Sequence, residues 1–265
     1  MSESAQVHAT LVGGPTVLLE LDRLRLLTDP TFSPPGPQKS HSGRTLLKLI
    51  PPAVAAERVG RVDAVLLSHE QHSDNLDQAG RDFLRDVPIT FSTNEAGRRL
   101  TTASVQPLEP WHHARISQPD GEPLIVTAVP ARHGPDGTEA SSGPVIGFVL
   151  KSPLLPTVYI SGDNASLSVV AEVEHHLGPI DVAVLFAGAA RTERIDAYVT
   201  LTSRQVTDAA ALLPNAAIIP AHFDGWAHLR EGREDLTDAI RESPRVAHRV
   251  VLLSPGRRTT IRWQE

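Results

Sequence analysis

Four apolar runs along the chain each lead into a residue that can ligate a metal. Val62–Ser68 leads into His69, with His72 and Asp74 just beyond. Leu124–Arg132 leads into His133, Thr157–Gly162 into Asp163, and Ala216–Ala221 into His222. Imidazole nitrogen and carboxylate oxygen are ligands that zinc, manganese and iron accept. One histidine at a strand end is more often a hydrogen-bonded loop residue, but an ordered set of imidazoles and carboxylates at four strand ends points to a shared cation. Hydrolysis is one chemistry such an ion would support. A bound divalent ion lowers the pKa of water from about 15.7 to roughly 7, so a metal-bound hydroxide is available at neutral pH. Asp74, a carboxylate beside such an ion, is the candidate catalytic residue, able to orient the attacking water or take its proton. The chain has no cysteine, which excludes disulfides, a thiol nucleophile, a zinc finger and a Cys-ligated iron–sulfur cluster.

The elements that must position these residues can be read from pattern. Short strands are predicted over His8–Val12, Thr16–Leu21 and Leu24–Asp29, separated by turn signals at Gly13-Gly14-Pro15 and around Asp22-Arg23. The Pro-rich stretch Asp29–Gly43 reads as a surface loop without regular structure. Strand-length apolar runs then alternate with amphipathic helices, among them Asn75–Val87, Ala165–Leu177, Ser203–Leu213 and Arg233–Ser243, and Val250–Ser254 and Thr259–Trp263 close the chain as strands. Strand-rich blocks followed by helix–strand alternation occur twice. This predicts an α/β layered protein, residues 1–265 forming one domain, with ligands gathered at strand ends.

Taken in order, SHEQHSDNLD, PARHG, SGD and PAH resemble the motifs of the metallo-β-lactamase superfamily, and LLTDPTF resembles the subgroup that contains L-ascorbate-6-phosphate lactonase and N-acyl-phosphatidylethanolamine phospholipase D. The resemblance implies a four-layer αβ/βα sandwich and a site for one or two metal ions along one edge. It implies a first site of His69, His72 and His133, and a second of Asp74 and His222, with Asp163 bridging. Zinc is the implied ion, with manganese or iron as alternatives. The family's first motif is His-x-His-x-Asp-His. Here one extra residue separates His69 from His72, and Asn75 stands where the last imidazole is expected. An amide oxygen is a much weaker zinc ligand, so the second site is expected to be weakened. The resemblance implies a hydrolase acting on an ester-type bond, phosphodiester or lactone. A non-catalytic metal- or ligand-binding protein with a degraded second site is the alternative, and an iron oxidoreductase in the same pocket is a third.

Composition narrows the partners. Across 265 residues, 25 Lys and Arg face 31 Asp and Glu, for a net charge of −6. That field repels phosphate backbones, so a small-molecule substrate is expected and nucleic acid is not. No stretch approaches the roughly 20 apolar residues that span a bilayer. The N-terminus lacks a basic region and an apolar run, so a cytoplasmic location is expected. The oligomeric state is left open, a homo-oligomer included.

Several further residues carry two readings. Asp74 and Asn75 precede a helix that either could cap, and for Asn75 the cap is favoured. Asp29 either orients a ligand histidine or starts a turn before Pro30. Trp111, His112 and His113 line the substrate pocket or form a corner. His175 and His176 are surface residues of a helix, His41 is a loop residue able to reach the site as part of a lid, and Phe223, Trp226 and His228 shape one pocket wall, with packing the other reading of the two aromatics.

Overall fold

The structure, a computed structural model, describes residues 6–118, 122–138, 142–192 and 195–263. Two sheets form the centre. In spatial order the seven-stranded sheet runs Thr259–Ile261, Val7–Gly13, Thr16–Leu21, Leu24–Thr28, Ala64–Leu66, Thr90–Ser92 and Val105–Pro107. The six-stranded sheet runs Ala217–Ala221, Val182–Phe186, Leu155–Ile160, Ile146–Ser152, Leu124–Pro130 and His113–Ile116. Both are mixed. Leu24–Thr28, Ala64–Leu66 and Thr90–Ser92 are parallel in the first sheet, as are Leu155–Ile160, Val182–Phe186 and Ala217–Ala221 in the second.

Side-chain alternation builds the layers. Leu19, Leu21, Leu26 and Leu66 join one buried core with Phe148, Leu150 and Val184 of the second sheet. Leu18, Leu27, Val65 and Leu67 turn the other way, onto Leu76, Leu84, Ala96 and Leu100. Helices Leu167–Leu177, Ser203–Leu212 and Arg233–Arg241 pack in succession beside the second sheet. The result is an α/β sandwich of two sheets flanked by helices, as the sequence predicts. Helix starts are fixed by side chains that satisfy free backbone N–H groups. Ser166 caps the first of these helices, and Thr202 with Gln205 forms a capping box on the second.

Two expectations fail. The Pro-rich stretch is not free of regular structure: Gly36–Lys39 pairs with Thr45–Lys48 as a two-stranded ribbon. Pro37 is tolerated because its strand pairs with a strand on one side only, whereas Thr45–Lys48 also bridges Trp226 on its far side. The run Val250–Ser254 is not a strand. Val251 N donates to Ile218 O at 2.7 Å, and the pairing stops at one bridge. The next donor on that edge would be Pro220, which has no N–H.

Among the described residues no helix is long and apolar enough to cross a membrane. Residues 1–5, on which the reading of the N-terminus partly rests, lie outside the described residues.

Candidate metal centre

The parallel strands of both sheets end on one side of the sandwich, and the loops leaving those ends carry the chemistry. Asp29 follows Leu24–Thr28, Ser68 and His69 follow Ala64–Leu66, Asp163 follows Leu155–Ile160, and His222 follows Ala217–Ala221. His133 follows Leu124–Pro130 at the same end, since Pro130 pairs with Ile146 and Phe148 with Ile160. Crevices outside the carboxyl ends of strands are where such folds gather ligands.

Two triads result. His69, His72 and His133 bring one ligand atom each to within 4.8 Å of one another, and so do Asp74, Asp163 and His222. Asp163 stands between them. Its Oδ2 lies 3.5 Å from His133 Nδ1 and 3.9 Å from His69 Nε2, while its Oδ1 lies 3.5 Å from His222 Nε2. His69 and His222 are fully buried, whereas His72 and His133 are 6% and 8% exposed, which marks the side that solvent reaches.

The extra residue between His69 and His72 is accommodated by giving the intervening side chains buried partners of their own. The buried Glu70 carboxylate accepts from Arg99 Nη1 at 2.6 Å and Arg81 Nη2 at 3.1 Å. Arg81 also donates to the Glu70 carbonyl at 2.7 Å. Gln71 Nε2 donates to the carbonyls of Ser142 and Pro144, both at 3.1 Å. His69 Nε2 and His72 Nδ1 are left facing each other at 2.9 Å.

Neighbouring groups orient the imidazoles. Asp29 accepts from Ser68 N and Ser68 Oγ, both at 2.6 Å, and Ser68 Oγ lies 2.9 Å from His69 Nδ1. With its own hydroxyl proton given to Asp29, Ser68 accepts from His69 Nδ1 and leaves Nε2 free to ligate. His133 Nδ1 donates to the Val199 carbonyl at 2.8 Å, which frees its Nε2 in the same way. Of the two readings of Asp29, the structure therefore gives the orienting contact, made through Ser68. Asp29 and His222 hold left-handed backbone, with φ of 25° and 56°. His222 N donates to Gly14 O at 2.8 Å, which pins the second of these.

Asn75 is not the helix cap. Asp77 caps Gln78–Phe83, its side chain accepting from Gly80 N at 2.8 Å. Asp77 suits that place because it also accepts from Phe32 N and Ser33 N and pairs with the buried Lys48. Asn75 Nδ2 instead donates to Asp29 Oδ2 at 3.1 Å and Asp163 Oδ1 at 3.2 Å.

Burial and charge give the two triads opposite character. Desolvation holds His69 well below the usual imidazole value and His72 below it, and takes His133 down to about 3. All three are neutral, the form that binds metals. Burial pushes Asp163 up to about 6 and Asp29 up to about 7. Burial also raises Asp74, but His228 and His222 outweigh it and hold the carboxyl well below its ordinary range. His222 is lowered by burial and raised more by Asp163 and Asp74, reaching about 9. One triad therefore offers lone pairs, and the other offers negative charge that recruits a cation.

The donor set fits a divalent ion. Asp74 Oδ1 and both ring nitrogens of His222 are buried without a hydrogen-bond partner, a costly state unless something coordinates them. Nitrogen and oxygen donors without thiolate suit zinc, manganese or iron.

Of the remaining candidates, Trp111, His112 and His113 are exposed at the edge of the second sheet, with the Trp111 ring 4.9 Å from His176. His41, His175 and His176 are exposed. Phe223 and Trp226 are buried, Phe223 under Arg233 and Trp226 under Lys48. His228 belongs to the site: its Nε2 lies 2.9 Å from Asp74 Oδ2. No motif marks it in the sequence.

A family model described as a beta-lactamase superfamily domain matches residues 24–223, and the chain belongs to that family. A metal-dependent hydrolase of Caldivirga maquilingensis is 27% identical over 245 residues, covering 90% of this chain and 91% of the relative. The isothiocyanate hydrolase from Delia radicum gut bacteria has the same fold, with a TM-score of 0.78 at 20% identity over 95% of this chain and 98% of that one. A metallo hydrolase of Ignicoccus hospitalis does too, with a TM-score of 0.72 at 20% identity over 97% and 99% of the two chains.

Proposed function

We propose that this member of the β-lactamase superfamily is a metal-dependent hydrolase that cleaves an ester-type bond in a small polar molecule. The observation that carries the reading is the Asp163 carboxylate standing between a neutral three-imidazole triad and an Asp/Asp/His triad. His69, His72 and His133 would hold one ion, Asp74 and His222 a second, with Asp163 shared. When bound, a divalent ion polarises the bond under attack and lowers the pKa of water toward 7. Asp74 has Oδ2 engaged by His228 and Oδ1 without a partner, so Oδ1 would reach the second ion and orient a water molecule held beside it.

A pocket of about 460 Å³ is walled by Arg132 and Gly134, the neighbours of His133, together with Ala165, Ser166, Tyr198 and Gln205, although none of the six ligand-type residues lines it. That volume lies in the range of small-molecule sites. Phosphodiesters and lactones are the substrates drawn from the sequence resemblance, and an isothiocyanate is the substrate named for one protein of like fold.

The test is metal content joined to turnover. Purified protein is analysed for zinc, manganese and iron, then offered an activated phosphodiester, a panel of lactones and an isothiocyanate. Bound metal with turnover that disappears in Asp163→Asn supports the reading. Protein without metal after gentle purification overturns it. One tightly held ion with no turnover of any ester moves the assignment to a binding protein, the reading that Asn75 favours because it supplies no imidazole to the second triad.

A further inference from the structure

Asn75 leaves the second triad one imidazole short of the motif the sequence resembles. The structure brings an imidazole to the same triad by another route. His228 lies six residues beyond His222. Its side chain is 15% exposed, and its Nε2 is 2.9 Å from Asp74 Oδ2, closer than the 3.4 Å of His222 Nε2.

The loop that carries His228 is fastened on several sides. Arg191 N donates to the His228 carbonyl at 3.2 Å, Ala227 N to Leu47 O at 3.0 Å, Leu229 N to Trp226 O at 3.3 Å, and Arg230 N to Gly188 O at 2.9 Å. Behind it, the Trp226 ring packs 6.5 Å from the imidazole, with Lys48 Nζ 5.4 Å from the Trp226 ring. This is a side chain placed by its surroundings, not one drifting at the surface.

The consequence lies in how Asp74 is divided. Oδ2 is engaged by His228, and Oδ1 is buried without a partner. Asp163 is treated alike, since Asn75 Nδ2 holds its Oδ1 at 3.2 Å. Each carboxylate of the second triad thus has its own tether.

We propose that His228 is a positioning residue for a second metal ion: its Nε2–H donates to Asp74 Oδ2, locks that carboxylate, and leaves Oδ1 presented to the ion. It offsets in geometry what the amide at position 75 gives up in ligand strength. The inference rests on the hydrolase reading above, because it presumes that the second triad takes a metal.

Zinc titration against a competing chromophoric chelator tests it, using the full-length wild type, His228→Ala and His228→Gln, with circular dichroism confirming the fold of each. The first equivalent of zinc should bind all three alike. The second should weaken by about 10–100-fold in His228→Ala, the usual effect of losing such a partner. His228→Gln keeps an N–H donor and should recover most of the loss. A wild type that takes up no zinc overturns both the hydrolase reading and this one. Two equivalents bound equally well by the wild type and His228→Ala overturn this one alone, as does a His228→Gln protein as weak as His228→Ala.

Discussion

Replacing Glu70 with Gln tests whether the lengthened His69–His72 segment is held by the buried side chains between the two imidazoles. The glutamate carboxylate is fully buried, whereas Arg81 and Arg99 are 24% and 41% exposed. Charge-assisted hydrogen bonds contribute about 1.5–3 kcal/mol each, against about 0.5–1.5 for neutral ones. Two such bonds reach the carboxylate, so neutralising it costs about 1 kcal/mol per bond. The amide also turns a donor toward one guanidinium. Partial exposure lets water take over much of each arginine's solvation, which keeps the total near the low end, about 2 kcal/mol rather than the 3–5 of a fully buried broken pair. For a chain of this size that is a fall in Tm of about 4–8 °C. Calorimetry of both proteins with excess chelator reads the folding effect without metal linkage. Repeating the scans with zinc should widen the gap, because His69 and His72 lose their fixed approach. A Tm within about 1 °C of the parent in chelator would refute the reasoning.

Three other outcomes are expected. Zinc at about 100 times its Kd should stabilise the chelated protein by about 2.7 kcal/mol, or about 5–11 °C, in the same calorimeter; no shift means that neither triad binds the ion. Ser68→Ala breaks the Asp29–Ser68–His69 chain of contacts and should weaken the first equivalent of zinc by about 10–100-fold in chelator competition, leaving the second less affected. In metal-free protein, His222 has a raised folded pKa of about 9, so its contribution is fully present below about 6.5 and is lost as pH rises through 9. Thermal scans of chelated wild type should therefore show Tm falling between pH 7 and 9.5, a fall that His222→Gln flattens.

Four of the ligand-type residues were legible because each stands where an apolar run stops, and a run of buried-strand length needs no neighbours to be recognised. His69, His133, Asp163 and His222 all share that signature. His228 does not: it sits in a loop whose course depends on backbone bonds to Leu47, Gly188 and Arg191, contacts between segments far apart in sequence. Glu70 was similarly opaque, since its partners Arg81 and Arg99 come from two different helices. The cap was misread at Asn75 because two acidic residues and an amide precede the helix, and only tertiary contacts with Phe32, Ser33 and Lys48 single out Asp77. The ribbon at Gly36–Lys39 escaped notice because proline content argues against strands in a sheet interior, and says little about a ribbon of two. Val250–Ser254 shows the reverse error, an apolar pattern without a neighbouring edge able to pair with it.

Asp29 and His222 occupy backbone that glycine adopts freely and that costs other residues about 1–2 kcal/mol. Trading either residue for glycine would relieve that strain, yet it would also leave Ser68 and Asn75 without the buried acceptor they use, or Asp74 and Asp163 without the imidazole they both approach. The strain is outweighed by the contacts it serves, so neither position is a place where heat resistance is easily gained.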